Sequence, residues 1–316
     1  KGSVTMKKRI KKKLKKIKKS IKKNFEMMKN MKITVKIYGG LGNQMFQYAA
    51  GRALSLRHHV PLDLDIQWFF QKQNSTTARP YHLNIFKNIT ASVQKKLFFP
   101  CPAILHRIKN YLPYTHIIRE PHFAYWPEFS SITPPATLDG YWQCEKYFME
   151  FRKEIRDDFT FPPLPEAARQ LFKQIANTPE SVSVHVRRGD YVSNPQAQAF
   201  HGNLQQEYYN KSLQLIKDTC GKTKLFIFSD DPIWVRNNFN YCGHDATIVE
   251  LGFPNAPYHD MHLMTLCKHH IIANSTFSWW GAWLKKQSGL TISPKCWFAN
   301  SMMDSKDIHG NGWIII

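Results

Sequence analysis

No run in this 316-residue chain approaches the roughly 18 consecutive apolar residues of a membrane-spanning helix, which argues against an integral membrane protein. Cysteine is sparse and scattered: Cys101, Cys144, Cys220, Cys242, Cys267 and Cys296 include no CxxC pair. That speaks against a metal or redox centre and for free thiols in a reducing compartment. The dinucleotide fingerprint GxGxxG is missing too. Acidic residues are few, 23 against 44 Lys and Arg, but the imbalance is local. Residues 1–32 hold 15 of the basic residues and one Glu, which leaves a mildly basic body of 29 basic and 22 acidic side chains. Such a body is a poor nucleic-acid groove but accommodates a phosphorylated ligand. A basic nucleic-acid-binding protein is therefore the rival reading, and it predicts salt-sensitive binding that vanishes with the tail. Disorder is excluded by 43% hydrophobic residues with 13 Tyr, 9 Trp and 21 Phe.

What is present organises into two α/β halves. Ile33, Val35 and Ile37 alternate as a strand that ends in Gly39-Gly40-Leu41-Gly42-Asn43-Gln44. Phe46, Ala50, Ala53 and Leu54 then recur at helical spacing, so the order is strand, glycine turn, helix. A second strand is expected over 60–65, where Asp63-Leu64-Asp65 has the form of a metal-binding DxD that also arises by chance. Residues 66–135 show no clear period. The second half predicts strands at 182–186, 225–228, 246–251, 270–273 and near Thr291, alternating with helices at 204–218, 260–267 and 277–287, and a short one from Pro232. A polar loop is expected from 187 to about 203. Strict alternation implies a doubly wound parallel sheet.

The notable polar residues fall at the carboxyl ends of these strands, where open parallel sheets bind ligands. Arg187-Arg188-Gly189-Asp190 closes the first strand, Ser229-Asp230-Asp231 the second, Gly252 the third and Asn274-Ser275-Thr276 the fourth. Alternation puts Ser183, His185 and Arg187 on one face and Val182, Val184 and Val186 on the other. Paired guanidiniums suit phosphates, and Asp230 or Asp231 can accept two N–H bonds from a guanine edge. The 274–276 triplet can cap the next helix, whose free amides and dipole also favour phosphate. Each feature alone reads as ordinary solvation or capping. Together they point to a nucleoside-diphosphate site.

The segments Gly39-Gly40-Leu41-Gly42-Asn43-Gln44-Met45-Phe46-Gln47, His185-Val186-Arg187-Arg188-Gly189-Asp190-Tyr191 and Asn274-Ser275-Thr276-Phe277-Ser278-Trp279-Trp280 closely resemble the bacterial alpha-1,2-fucosyltransferases, glycosyltransferase family 11. Phe228-Ser229-Asp230-Asp231 and the segment from Gly140 to Phe148 fit the same pattern, so the resemblance runs from about Ile33 to Pro294. The HxRRxD element is shared with alpha-1,6- and protein O-fucosyltransferases, which leaves those linkages as alternatives. The resemblance implies a GT-B-type α/β fold: two Rossmann-like domains facing a cleft, at residues 32–175 and 176–316, behind a basic extension at 1–31. It also implies GDP-beta-L-fucose as donor, with inverting transfer to the 2-hydroxyl of a terminal galactose in an oligosaccharide or lipid-linked glycan. No cofactor and no obligatory metal are implied.

Carried over, Arg187 binds the β-phosphate and neutralises the departing GDP, while Ser275, Thr276 and Ser278 hold phosphates at the helix start. His185 and Asp231 face the guanine. Gly40, Gly42 and Asn43 form the facing loop, with Asn43 reaching the fucose or its phosphate. Asp190 is the candidate base for the acceptor hydroxyl. The tail has its own pattern: Ile10, Leu14, Ile17, Ile21, Phe25 and Met28 form a narrow apolar stripe among lysines. Residues 7–29 are thus expected to lie on an anionic membrane surface, holding a cytoplasmic enzyme near lipid-linked acceptors.

Overall fold

The computed structural model describes residues 31–71, 79–94, 116–253, 256–299 and 303–316. The first half contains β1 (Ile33–Lys36), α1 (Leu41–His58), β2 (Leu62–Asp65), β3 (Ser92–Gln94), β4 (His116–Arg119) and β5 (Ala136–Asp139). Its strands all pair in parallel, in the order β3-β2-β1-β5-β4. Two short helices, α2 (Arg152–Asp158) and α3 (Arg169–Ala176), lead to the second half. There follow β6 (Ser181–Val186), α4 (Gly189–Ser193), α5 (Pro195–His201), α6 (Gln206–Cys220), β7 (Lys224–Ser229), α7 (Pro232–Asn238) and β8 (Asp245–Ile248). The chain ends with α8 (Tyr258–Leu266), β9 (His269–Ile271), α9 (Thr276–Trp283), β10 (Thr291–Ser293) and β11 (Ile314–Ile315). This sheet is also parallel throughout, in the order β11-β10-β9-β6-β7-β8.

The α/β reading with two parallel sheets is thus met, with three corrections. The second sheet has six strands rather than five, because the C-terminal Ile314–Ile315 pairs with β10. The stretch after Arg188 is not a polar loop: Asn194 caps α5 by accepting from the amides of Gln196 and Ala197, with Pro195 in its first turn. Strand β6 has no open polar face either. It is the inner strand between β9 and β7, and every side chain on it is buried, Ser183 and His185 included.

The core sits largely between the halves. Helix α9 belongs to the second sheet by sequence, yet its Trp279, Trp280 and Trp283 are buried in the same apolar cluster as β1, β2 and α1. Phe46 of α1 lies 4.4 Å from Trp279 and 4.9 Å from Trp280, ring centre to ring centre. Phe148 stacks on Trp280 at 5.6 Å. Burying three indoles at one junction fixes the two sheets against each other more firmly than surface pairs would.

Candidate functional site

Strand order locates the site. In the second sheet the chain winds outward in two directions from the central pair β6 and β9; in the first it runs outward from β1 through β2 to β3, then returns from the edge strand β4 to β5 beside β1. A crevice forms outside the carboxyl ends of such a pair. The segments leaving these strands are Gly39-Gly40, Gly140 to Gln143, Arg187-Arg188 and Asn274 to Thr276. Asn43 ties three of them together. Its Oδ1 accepts from Gln143 Nε2 at 3.1 Å and from Thr276 Oγ1 at 2.9 Å. The two crevices therefore meet at one amide side chain.

The glycine turn is built for that meeting. Gly39 adopts φ +78°, a left-handed conformation that glycine tolerates without cost. A Cβ on Gly42 would lie 2.5 Å from the Thr276 carbonyl carbon, so only glycine lets the first turns of α1 and α9 touch. The carbonyl of Gly42 accepts from Trp280 Nε1 at 2.9 Å. Gln44, fully buried, bonds the Gly39 and Pro80 carbonyls through Nε2 and the His82 amide through Oε1. Gly40 has open space beside it and caps α1 with no side-chain hydrogen bond. The first amides of this 18-residue helix thus meet no capping side chain, which is the arrangement that receives anions.

Arg187 leaves the carboxyl end of β6. Its Nη1 pairs with Asp230 Oδ2 at 2.7 Å, and its guanidinium lies 5.2 Å from the Tyr191 ring centre. Asp230 Oδ1 accepts from the Arg188 amide at 2.8 Å, and a Cβ on Gly189 would lie 2.3 Å from Asp230 Oδ2. Gly189 is what allows this carboxylate to reach under the turn. Arg188 points elsewhere: its guanidinium sits 3.8 Å from the Trp234 ring centre, with Nε 3.4 Å from Asp231 Oδ2. Asp231 caps α7 by accepting from the Trp234 amide at 3.0 Å. Both acids expected at a nucleobase are thus engaged by protein groups: Asp230 orients Arg187, and Asp231 starts a helix.

The opposite wall begins at Ser275, which caps α9 through a 3.4 Å bond from the Phe277 amide. Asn274 is buried and donates to the carbonyls of His201 and Trp297 at 2.8 and 3.2 Å, so it fixes the turn rather than a ligand. Ser278 faces inward, its Oγ 2.8 Å from Nδ1 of the buried His185. Burial, with the nearby Arg187 charge, pushes the His185 imidazole down to about 3, so it is neutral at physiological pH. His185 and Ser278 are thus bonded to each other within the buried wall of the crevice. The first turn of α4 includes Asp190.

Three features escaped sequence reasoning. Glu120, just past β4, accepts from the Tyr141 and Trp142 amides at 2.7 and 3.0 Å, and burial raises its carboxyl to about 7. Beside it, Tyr141 packs edge-on to Tyr38 at 5.1 Å and stacks on Phe123 at 6.2 Å, an aromatic wall of the kind sugars favour. Asp260, in the first turn of α8, is raised to about 6 by burial. Glu120 carries no periodic or motif signal, Tyr141 lies in the Gly140–Phe148 segment without its ring partners being readable there, and Asp260 reads only as the start of a helix.

The metal-like patterns resolve differently. Asp63 is paired with Lys32 and accepts from Gln94 Nε2 at 2.5 Å, while Asp65 Oδ1 accepts from the Gln67 amide at 3.1 Å, so the DxD of β2 is tied up locally. Glu180, Cys220 and His269 do converge, with ligand atoms all within 4.8 Å. Yet His269 Nδ1 lies 3.0 Å from the Leu290 amide that donates to it, and Nε2 lies 2.7 Å from Glu180. Both ring nitrogens are spent, and the cluster lies at the amino ends of β6 and β9, away from the crevice.

Sequence comparison decides the family. The profile of glycosyl transferase family 11 matches residues 3–316. The chain belongs to glycosyl transferase family 11. It is 36% identical over 288 residues to an alpha-1,2-colitosyltransferase of Escherichia coli, covering 90% of this chain and 98% of that protein. It is 33% identical over 291 residues to the O-antigen biosynthesis glycosyltransferase WbnK of Escherichia coli, covering 83% and 94%. Galactoside alpha-(1,2)-fucosyltransferase 2 of Oryctolagus cuniculus is 25% identical over 260 residues, covering 79% and 66%. In this family 11 glycosyltransferase the crevice joined by Asn43 is the candidate active site.

Proposed function

We propose that this family 11 glycosyltransferase moves L-fucose from GDP-beta-L-fucose to the 2-hydroxyl of a terminal galactose, inverting the anomeric carbon in one displacement. The observation that carries the reading is the Arg187 guanidinium, fixed by Asp230 and Tyr191 at the switch point. In such a displacement the acceptor oxygen attacks the anomeric carbon as the bond to the β-phosphate breaks, and negative charge builds on departing GDP. A fork whose plane is already set stabilises that charge without reorganising. The first amides of α1, with Gly40 leaving room, receive the phosphates from the other side. Asn43 orients the sugar or its phosphate, with Thr276 and Gln143 holding Asn43, and Asp190 takes the acceptor proton.

An arginine with helix amides replaces a divalent cation, so turnover is expected to persist in excess EDTA. Loss restored by Mn²⁺ would end the metal-free reading. Among the described residues no helix is long and apolar enough to cross a membrane. The amphipathic stretch 7–29 lies outside the described residues; we propose that it rests on an anionic leaflet near the acceptor. Equal binding to anionic vesicles by the full chain and a chain starting at Met31 would refute that.

One relative favours a second donor, because the 36% identical protein is a colitosyltransferase. Colitose is fucose without its 3-hydroxyl, so the two donors test one hydrogen bond. The enzyme, given GDP-fucose and GDP-colitose with a panel of galactosides, is expected to transfer fucose, with the new linkage at galactose O2 by NMR. Transfer of colitose alone would reassign the donor; a linkage at another hydroxyl would reassign the acceptor chemistry.

A further inference from the structure

A cavity of about 380 Å³ opens at the end of the second sheet opposite the candidate active site. Thr291, the first residue of β10, and Trp313, just before β11, line it, which places it at the amino ends of parallel strands. Four cations surround it: Arg152 and Arg156 of α2, and Lys285 and Lys286 after α9. The one lining carboxylate, Glu145, is buried and already accepts from Trp283 Nε1 at 2.9 Å and from the Asn311 amide. Among the described residues none of the four cations makes an ion pair.

Two of the four are fixed by the backbone. Arg156 donates to the carbonyls of Trp283, of Leu284 at 3.1 Å and of Lys285 at 2.6 Å, closing the carboxyl end of α9. Lys285 donates to the Gly289 carbonyl and to Thr291 Oγ1 at 3.0 Å. Arg152 lies 5.2 Å and Arg156 5.4 Å from the Trp283 ring centre, so both guanidiniums gather at one indole. Burial, and after it the Arg152 charge, lowers the affinity of Arg156 and Lys285 for their protons. The cavity lining therefore carries four cations against one carboxylate, Glu145, with Asp157 acting on Arg156 from outside the lining. Arg152 and Lys286 are exposed at its rim, where they can close on a bound anion.

We infer that this cavity is a second anion site, separate from the crevice at Arg187, that takes a solution ligand of the organic-diphosphate class. Charge selects the phosphates. The half-buried Trp313 offers a flat face to an attached sugar or base. The inference goes beyond the proposed reaction and does not require it.

The test is calorimetric titration of the full chain with inorganic pyrophosphate at constant ionic strength, in wild type, Arg152→Gln/Lys286→Gln and Arg187→Lys. The rear site predicts binding that weakens at least about tenfold in the double variant, the scale of losing two charge-assisted contacts, and survives in Arg187→Lys. Both exchanged side chains are exposed, so an unchanged Tm should accompany the loss. Pyrophosphate binding insensitive to the double variant, or abolished by Arg187→Lys alone, overturns the inference; the second outcome leaves the donor reading standing.

Discussion

The two helices that meet at the candidate site begin in opposite ways. Helix α1 starts from Gly40 with no capping side chain, whereas α9 starts from Ser275, turns Ser278 back to His185 and sends Thr276 across to Asn43. One start presents bare amides beside open space; the other spends its hydroxyls on the protein. Sequence alone assigns the phosphates to the serine- and threonine-rich start, because hydroxyls look like ligand groups. The structure shows that the glycine-rich start is the one whose first amides no side chain caps. A hydroxyl in a motif is as often a joint as a contact.

The comparison is tested most directly at Arg187, which belongs to neither helix. Arg187→Lys keeps a charge but loses the planar fork that Asp230 and Tyr191 hold. Turnover is expected to fall roughly 100-fold or more, the cost of removing one preorganised transition-state donor. Steady-state kinetics should show the loss mainly in kcat. Arg188→Lys, whose partners are Trp234 and Asp231, should lose far less. Equal losses would mean that the two arginines share the work.

A smaller effect separates the glycines. Gly42→Ala forces a methyl to within 2.5 Å of the Thr276 backbone, and the two helix starts must part. Destabilisation of about 1–3 kcal/mol is expected, as for overpacking a tight contact, read by denaturant unfolding. Gly40→Ala meets open space, so its stability should hold while donor binding weakens. If both variants unfold alike, the division between a joint and a ligand-facing glycine is wrong.

The strand ends that carry Arg187, Asp230 and Asn274 were legible because a parallel sheet puts its ligand chemistry at one edge, and the alternation was plain. Helix α5 carried a readable signal, Asn194-Pro195, a cap followed by a first-turn proline, hidden by the surrounding polarity. The burial of α9 was half legible: Trp279, Trp280 and Trp283 announce a helix with no wet face, but nothing local says that their partners are Phe46 and Phe148. Such pairing is long-range by nature. The protein partners of Asp231 and His185, the Trp234 amide and Ser278, were not legible, because a side chain's capping or buried partner lies outside its own motif.

Glu120 sharpens the comparison on the first-sheet side, since it holds the loop that hands Gln143 to Asn43. Its carboxyl is raised from 4.5 to about 7, by burial and against the two amides that it accepts from. The folded chain therefore binds this proton more tightly than the unfolded chain does. Stability from the protonated form is full below the ordinary value of 4.5 and is lost as pH rises through about 7. Asp260 adds a loss of the same sign at slightly lower pH, with its value near 6. Glu120→Gln keeps the volume and one acceptor oxygen but cannot ionise. The variant should be less stable at acid pH, where it lacks one of the two amide bonds, and its Tm should fall less steeply than wild type between pH 5 and 8. Identical slopes would show that Glu120 titrates in its ordinary range. The loop would then be held by an ionised carboxylate, and the falling limb would belong to Asp260.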